Sequence, residues 1–377
     1  MSASATALLY IALFLATVII CKITLTNNYI IRVRDKVYSL TENSLYQFIC
    51  ITLSCMPLIY LLANRVNVGR DYERYELYYS TYVSWGAKNG LGIGLTFIYH
   101  IADKFGWGFE GFLWVSAIIT TILAITLLKN LIPLQLMPIA VFFYLCIYWG
   151  PMNNIMGQAM AVSVLLGAFY MMTKRRLIPF IILVVIASFF HVSSFLLIPL
   201  YWIYAAFQKK HSKGVIIGIL LGGLFLAAAP NLIKVLLNFI GLSKYNGYFS
   251  NRLNPTWIYL LIYRSPMYAL EIFYFLRERQ RNHDEIESGN QLVNLGIFMG
   301  VCEIASFIIG LSITWGGRFG YFFSIGHLFF AIGSIMEAKD KKEWLTLRSM
   351  YCAYFLFSFL MMAFYSRMDA INIYSRM

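Results

Sequence analysis

What constrains this chain most is a succession of apolar runs long enough to cross a bilayer, with nearly all of the charge gathered in the segments between them. A crossing helix needs about 20 apolar residues. On that measure twelve runs read as spans, at about 5–25, 44–63, 110–128, 132–149, 153–172, 177–190, 191–207, 214–229, 256–276, 291–311, 317–336 and 345–365. The expected fold is an all-α, polytopic integral membrane protein of about 12 transmembrane helices. Residues 1–377 read as a single multi-span domain, with no soluble domain and no internal repeat.

Charge sets the expected topology. Only 12% of residues are charged and mean hydropathy is +0.68, whereas soluble domains carry about twice that share of charge. The net charge of +13 would suggest a nucleic-acid partner in a soluble protein. Here the basic residues sit in short clusters between apolar runs, which is topology information, so no nucleic acid is expected. The clusters are Arg32 with Arg34 and Lys36, Lys174 to Arg176, Lys209 with Lys210 and Lys213, Arg277 with Arg279 and Arg281, and Lys339 with Lys341 and Lys342. The positive-inside rule puts all of them in the cytoplasm, which works only if 177–207 crosses twice as two short helices. The N-terminus, a first outer loop at 64–109, the turn at 149–154, a second outer loop at 230–255 and the C-terminal tail then face outward. No basic residues precede the first apolar run, so it reads as a span and not as a cleaved signal peptide. The cysteines Cys21, Cys50, Cys55, Cys146, Cys302 and Cys352 all lie inside apolar runs and read as packing residues.

The first outer loop is the most polar and aromatic stretch of the chain. A helix starting at Tyr72 would line up Asp71, Tyr75, Tyr78 and Tyr82 on one face, with Arg70 and Arg74 beside it. The plainer reading makes Asp71 an N-cap and the tyrosines a membrane-interface belt. Residues 91–101 are apolar but too short to span, and suit a re-entrant or interfacial helix.

An ionisable group at mid-span costs about 2.5–3.5 kcal/mol on insertion scales, which marks each as a functional candidate. On the expected topology His191, Arg264, Glu303 and Arg318 lie toward the same leaflet as Asp71, and Asn153, Asn154 and Gln158 join them from the turn. Arg318 could simply snorkel to the interface. His191 could be a junction histidine bonded to a carbonyl. Pro266 frees a backbone carbonyl next to Arg264 and invites a cavity. His327 and Glu271 lie nearer the cytoplasmic half and read as structural or interhelical partners. Gly316 and Gly317 suit a close backbone turn beside Arg318.

Four places together resemble the EpsG-like group of bacterial Wzy-type polysaccharide polymerases. They are Gly69-Arg70-Asp71-Tyr72 with Tyr75, the segment 154–170 carrying Gln158, the junction Ala187-Ser188-Phe189-Phe190-His191-Val192-Ser193-Ser194, and Gly317-Arg318-Phe319-Gly320-Tyr321-Phe322. One departure stands out: that group often has arginine beside the glutamine, and this chain has Gly157. The resemblance implies a GT-C-like membrane glycosyltransferase on the outer face of the bacterial inner membrane. It would move a growing glycan from one undecaprenyl diphosphate to the sugar end of another lipid-linked repeat unit, building O-antigen or exopolysaccharide. The implied partners are those lipid-linked donors and acceptors, membrane lipid, a chain-length regulator and a flippase.

The residue chemistry suits such a transfer. Negative charge develops on the leaving diphosphate and has to be neutralised. The outward loops contain no closely spaced aspartate pair to hold Mg2+, so no metal or other cofactor is expected and arginine is the clamp. Arg264 and Arg318 are the leading candidates and Arg70 the third. Asp71 or His191 is the candidate base for the acceptor hydroxyl. Tyr72, Tyr75, Asn154, Gln158, Glu303 and Tyr321 are the candidate substrate contacts, with Trp85 offering a flat face to sugar. The rival readings are a lipid-linked oligosaccharide flippase or transporter, and a surface-glycan acyltransferase with His191 as base. An O-antigen ligase would differ from the polymerase only in its acceptor.

Overall fold

The computed structural model describes residues 1–27, 30–33, 36–39, 42–86, 92–209, 212–239, 255–281, 291–367 and 369–375. In hydrocarbon each backbone N–H and C=O has to be paired within its own segment, and the chain answers with helices almost throughout. Among the described residues, eight segments are long and apolar enough to cross a membrane: Ala3–Leu25, Ser44–Ala63, Gly108–Leu128, Leu134–Asn154, Met156–Thr173, Gln291–Gly310, Gly316–Met336 and Lys341–Tyr365. Leu177–Phe190, Val192–Phe207 and Lys213–Ala228 are apolar but shorter. A 27-residue helix, Pro255–Arg281, carries Arg264 and Glu271 within its length. The expected all-α class gains one small antiparallel hairpin, β1 (Ile30–Val33) with β2 (Lys36–Ser39), at the first basic cluster. Most of the expected loop at 230–255, residues 240–254, lies outside the described residues.

Contacts divide the chain into two compact units, residues 1–198 with 352–377, and residues 199–351. Unit 1 holds α1 (Ala3–Leu25), α2 (Ser44–Ala63), α3 (Tyr72–Trp85), α4 (Ile93–Lys104), α5 (Gly108–Ile118), α6 (Ala124–Leu128), α7 (Met137–Asn154), α8 (Met156–Thr173) and α9 (Leu177–Phe190). A π turn, Ile119–Leu123, interrupts the rod formed by α5 and α6, and the Tyr144 hydroxyl donates to the Thr120 carbonyl there at 2.8 Å. The core is aromatic: Trp149 meets Tyr10 and Phe14 edge-on at 5.3 and 5.4 Å, and Phe143 stacks on Phe355 at 4.3 Å. Such pairs add about 0.5–1.5 kcal/mol beyond the area they bury.

Two boundaries differ from expectation. Helix α7 continues through Pro151 to Asn154, and Ile155 alone joins it to α8, so the expected turn at 149–154 is helical. A proline so near a helix end removes only one ladder bond. Helix α4 begins at Ile93 and its 12 residues make it about 18 Å long, too short to cross. At His191 the backbone becomes extended (φ −147°, ψ 106°) and a 3-10 turn, Val192–Leu197, follows.

Four of the segments expected to share a side meet at one end of unit 1. The Met1 ammonium donates to the Tyr374 carbonyl at 3.3 Å, and the Tyr374 N–H to the Thr6 hydroxyl at 3.1 Å. Val66 and Gly69 donate to the carbonyls of Ser375 and Ala370 at 3.1 and 3.2 Å. The amide of Asn154, at the end of α7, donates to Asp369 at 2.9 Å.

Unit 2 holds α10 (Leu200–Phe207), α11 (Ser212–Ala228), α12 (Pro230–Phe239), α13 (Pro255–Arg281), α14 (Gln291–Gly310), α15 (Thr314–Arg318), α16 (Gly320–Phe323), α17 (Ile325–Met336) and the start of α18 (Lys341–Leu360). Lipid tails are as apolar as leucine, so helices in a bilayer associate through small residues that let backbones approach. Helices α14 and α17 do this through glycine. A Cβ at Gly296 would lie 2.6 Å from the Phe330 nitrogen, and one at Gly333 would lie 2.8 Å from the Val293 nitrogen. The carbonyl that Pro266 deprives of its helix donor, Ile262, accepts from the Ser265 hydroxyl at 2.8 Å. The proline is thus satisfied locally, and the cavity it was expected to invite is not needed.

The C-terminal strap rests on Tyr374, which is 4% exposed and donates its hydroxyl to the Leu61 carbonyl at 3.1 Å. Tyr374→Ala is expected to cost about 3 kcal/mol, in the range of buried aromatic truncations. Thermal unfolding of detergent-purified protein checks this through a lowered midpoint.

Candidate functional site

In unit 1 the site is built on Gly69. Its φ of +100° lies in the region that disfavours side chains, and a Cβ there would overlap the Asn153 carbonyl. Only glycine lets the loop lie against the end of α7. The next turn brings the Asp71 N–H to Asn154 Oδ1 at 3.0 Å, while Asn154 Nδ2 donates to Asp369 Oδ1. Asp71 occupies the N-cap position of α3, as the plain reading held, but its carboxylate makes no capping bond. Among the described residues its partner is Arg74, at 4.0 Å across exposed surface, a pairing worth about 0–1 kcal/mol. Fixed through its backbone, Asp71 leaves its carboxylate available for other work. Arg70 is exposed and donates to the Arg367 carbonyl of the strap at 3.1 Å.

The tyrosines of α3 chiefly hold the fold. Tyr72 is 3% exposed and meets Phe109 edge-on at 5.4 Å, Tyr75 stacks on Phe112 at 5.8 Å, and Tyr99 donates to the Tyr75 carbonyl at 3.0 Å. Burial, with a smaller contribution from Glu76, raises the pKa of Tyr72, so it remains a phenol. Trp85, by contrast, is 82% exposed and free to offer a flat face. The Tyr75 hydroxyl accepts the Gly157 N–H at 3.2 Å. A Cβ at Gly157 would lie 3.0 Å from both Leu95 Cδ1 and the Phe190 carbonyl. Close packing of α4 and the end of α9 against this spot explains why this chain carries glycine there. Gln158 is buried one residue on, and half-buried His191 follows Phe190 at the same junction.

Unit 2 gathers a second set. Arg264 and Glu303, 4% and 0% exposed, form a close ion pair, and Ser324 Oγ lies 2.7 Å from Arg264 and 2.5 Å from Glu303. Tyr268 donates to Glu303 at 2.6 Å. His327 places one ring nitrogen 2.7 Å from Glu303 and the other 2.8 Å from Glu271, so of the two readings offered for His327 and Glu271, structural or interhelical partner, the structure shows the second. The Arg264 guanidinium also faces the Phe307 ring at 5.5 Å. Arg318 is exposed at the end of α15, and Tyr321 is buried in α16. Structure thus unites Asp71 with Asn154 in one unit, and Arg264 with Glu303 in the other.

Two charged residues of unit 1 were not singled out from sequence. Asp369 is 4% exposed in the tail and anchors Asn154. Arg65 is 1% exposed; its guanidinium meets the Leu62 carbonyl and, at 2.9 Å, Met156 Sδ, and among the described residues its Nε has no hydrogen-bond partner. Burial pulls its pKa down to about 10, against the attraction of Tyr72 and Tyr10. The available signal for both was charge just beyond an apolar run, which loops share.

The helices and the polar end of unit 1 define the class, a multi-pass helical membrane protein with an acid set among polar side chains where its connecting segments meet. Residues 48–375 match the family model of the EpsG family, and the chain belongs to that family. Membership suggests a membrane polysaccharide polymerase. No curated protein and no solved structure matches the chain.

Gly69→Ala should displace the loop from α7 and break the Asp71–Asn154 bond, with a loss of about 1–3 kcal/mol or more from strain and the unpaired groups. Protease sensitivity of the loop and thermal midpoint both read this. Gly157→Arg is expected to be destabilising too, because the guanidinium would have to push α4 off the α9 end.

Proposed function

We propose that this EpsG-family protein polymerises lipid-diphosphate-linked oligosaccharide repeat units on the outer face of the bacterial inner membrane, crossing the bilayer about twelve times. The observation that carries the reading is the Asp71 carboxylate, left without a capping bond and fixed in place through its own backbone by Asn154. A general base has to be positioned and unspent. Asp71 takes the proton of the acceptor hydroxyl as that oxygen bonds the anomeric carbon of the donor, and the bond from that carbon to the diphosphate breaks. The diphosphate leaves with the electron pair. His191 is the alternative base.

Cationic side chains answer the charge on the leaving group. Arg70 adjoins Asp71 in sequence, and Arg318 is exposed. Arg264 is already held by Glu303, so it is the least available of the three candidates. The substrates are undecaprenyl-diphosphate-linked glycans, with their polyprenyl tails in lipid. Trp85 offers a stacking face to sugar. A flippase for the same lipid-linked units is the second reading, favoured by the buried ionisable chain of unit 2, a feature of carriers.

Cells lacking the protein should still display a single repeat unit on their surface lipid and no longer polymer. Complete absence of the unit favours the flippase, and long polymer missing only acyl groups favours an acyltransferase. Asp71→Asn should lower chain extension by about 10²–10⁴-fold if the carboxylate is the base, and Arg318→Ala by about 10²–10³-fold. Neither side chain is buried, so thermal midpoints near wild type should accompany those losses. Polymer of normal length and amount from both variants would remove them from the site.

A further inference from the structure

Glycosyl transfer as described makes no use of the buried chain Glu271–His327–Glu303, yet its geometry has a requirement of its own. His327 faces carboxylate oxygens with both ring nitrogens, Glu271 Oε1 at 2.8 Å and Glu303 Oε2 at 2.7 Å. A neutral imidazole has one N–H, and its other nitrogen carries a lone pair that an ionised carboxylate would repel. The trio therefore holds one hydrogen more than neutral histidine and two carboxylates supply. Either His327 is an imidazolium, or one carboxyl is an acid.

The surrounding donors decide where that hydrogen sits. Glu303 already accepts from Arg264, Ser324 and Tyr268, which satisfies its ionised form. The extra proton consequently lies between His327 and Glu271. In either location Arg264 cancels Glu303, and the His327–Glu271 pair is neutral overall. Removing the proton leaves one uncompensated negative charge among side chains that are at most 4% exposed, a costly state that makes the site selective for its proton.

A cavity lies beside the helices that carry the pair. A cavity of about 200 Å³, large enough for several waters, lies where α13, α17 and α18 meet. Its walls include Arg277, Glu337, Lys339 and Glu343, with Ser334 and Tyr351. Tyr274 and Phe330, each three residues on from Glu271 and His327 along their helices, line it as well, so the cavity lies against the same helix faces as the pair. From Arg264 to Arg277 along α13 is about 20 Å at 1.5 Å per residue, so the polar path covers much of a bilayer's depth. Glycine at position 300 makes the room for it, since a Cβ there would overlap the Glu271 carboxylate.

We propose that His327 and Glu271 form a proton-binding site that exchanges one proton with water in this cavity. The groups around it are Arg264 and Tyr268 from α13, Glu303 from α14 and Ser324 at the N-cap of α17, with Tyr351 of α18 on the cavity wall. The proton is bound at low pH and lost as pH rises. Its loss leaves Glu271 and Glu303 both ionised around a neutral imidazole. The site stands independently of the transfer chemistry, so its test does not read polymer.

The experiment is infrared difference spectroscopy of the purified full-length protein in lipid nanodiscs, titrated from about pH 5 to about pH 10 in H2O and D2O. The wild type should lose one protonated group, seen either as a carboxylic acid band or as an imidazolium ring band; that titration should vanish in Glu271→Gln, and in His327→Gln it should move in pH and show only the carboxylic acid band. Glu271→Gln keeps a donor toward His327, as the protonated acid would, and so is the variant expected to fold. Ser334→Leu, which fills the cavity, should slow hydrogen–deuterium exchange of the same band. Wild-type spectra that stay constant with pH, a titration that persists in Glu271→Gln, or one unaltered in His327→Gln would overturn the site. An unchanged exchange rate in Ser334→Leu would overturn the route.

Discussion

Asn154 holds the polar end of unit 1 together, because a single amide there serves three segments of chain. Its oxygen takes the Asp71 N–H, its nitrogen gives to Asp369, and the carbonyl of Asn153 just before it presses against Gly69. Buried polar groups left unpaired cost about 1–3 kcal/mol each, so these three segments have to arrive together. Asp71 is the beneficiary: its place is fixed by its main chain, and its side chain is not consumed in fixing it. A carboxylate that also capped α3 would have to give up that bond before it could take a proton.

Unit 2 meets the same rule deeper in the helices. Glycines on α14 and α17 bring two backbones close, and that proximity puts Glu303 and His327 within hydrogen-bond reach. Burying four ionisable side chains is tolerable only because each is satisfied and the set can reach zero net charge. One shared hydrogen completes the balance. Arg264 is so well occupied by Glu303 and Ser324 that its charge is a structural asset before it is a chemical one.

Much of this was legible from the chain itself. Runs of about 20 apolar residues announce helices because hydrocarbon permits little else, and ionisable groups inside them announce partners. Glu271 and His327 were readable on those grounds as structural or interhelical partners, though not as partners of each other. Asp369 and Arg65 were not, because charge beyond the end of a run is what every loop displays, and only the packing of Asp369 against Asn154 and of Arg65 against Leu62 and Met156 shows that both are buried. Hydropathy gives no sign of a π turn at Ile119–Leu123, nor of α7 continuing through Pro151, since neither alters the apolar pattern. Tyr72 and Tyr75 could be placed on a helix face, but whether that face met sugar or Phe109 and Phe112 depended on how α4 and α5 pack. Gly157 looked like a missing arginine; with α4 and Phe190 around it, it is a position without room for one.

The most direct measurement is incubation of the purified protein with a defined lipid-diphosphate repeat unit and a metal chelator, with the products resolved on a gel. A ladder of lengthening glycans, with lipid diphosphate released in step, is the result expected of a polymerase that neutralises its leaving group with arginine. Repeat units that stay single while the protein is folded would contradict polymerisation, and a ladder seen only when the chelator is left out would contradict the arginine clamp.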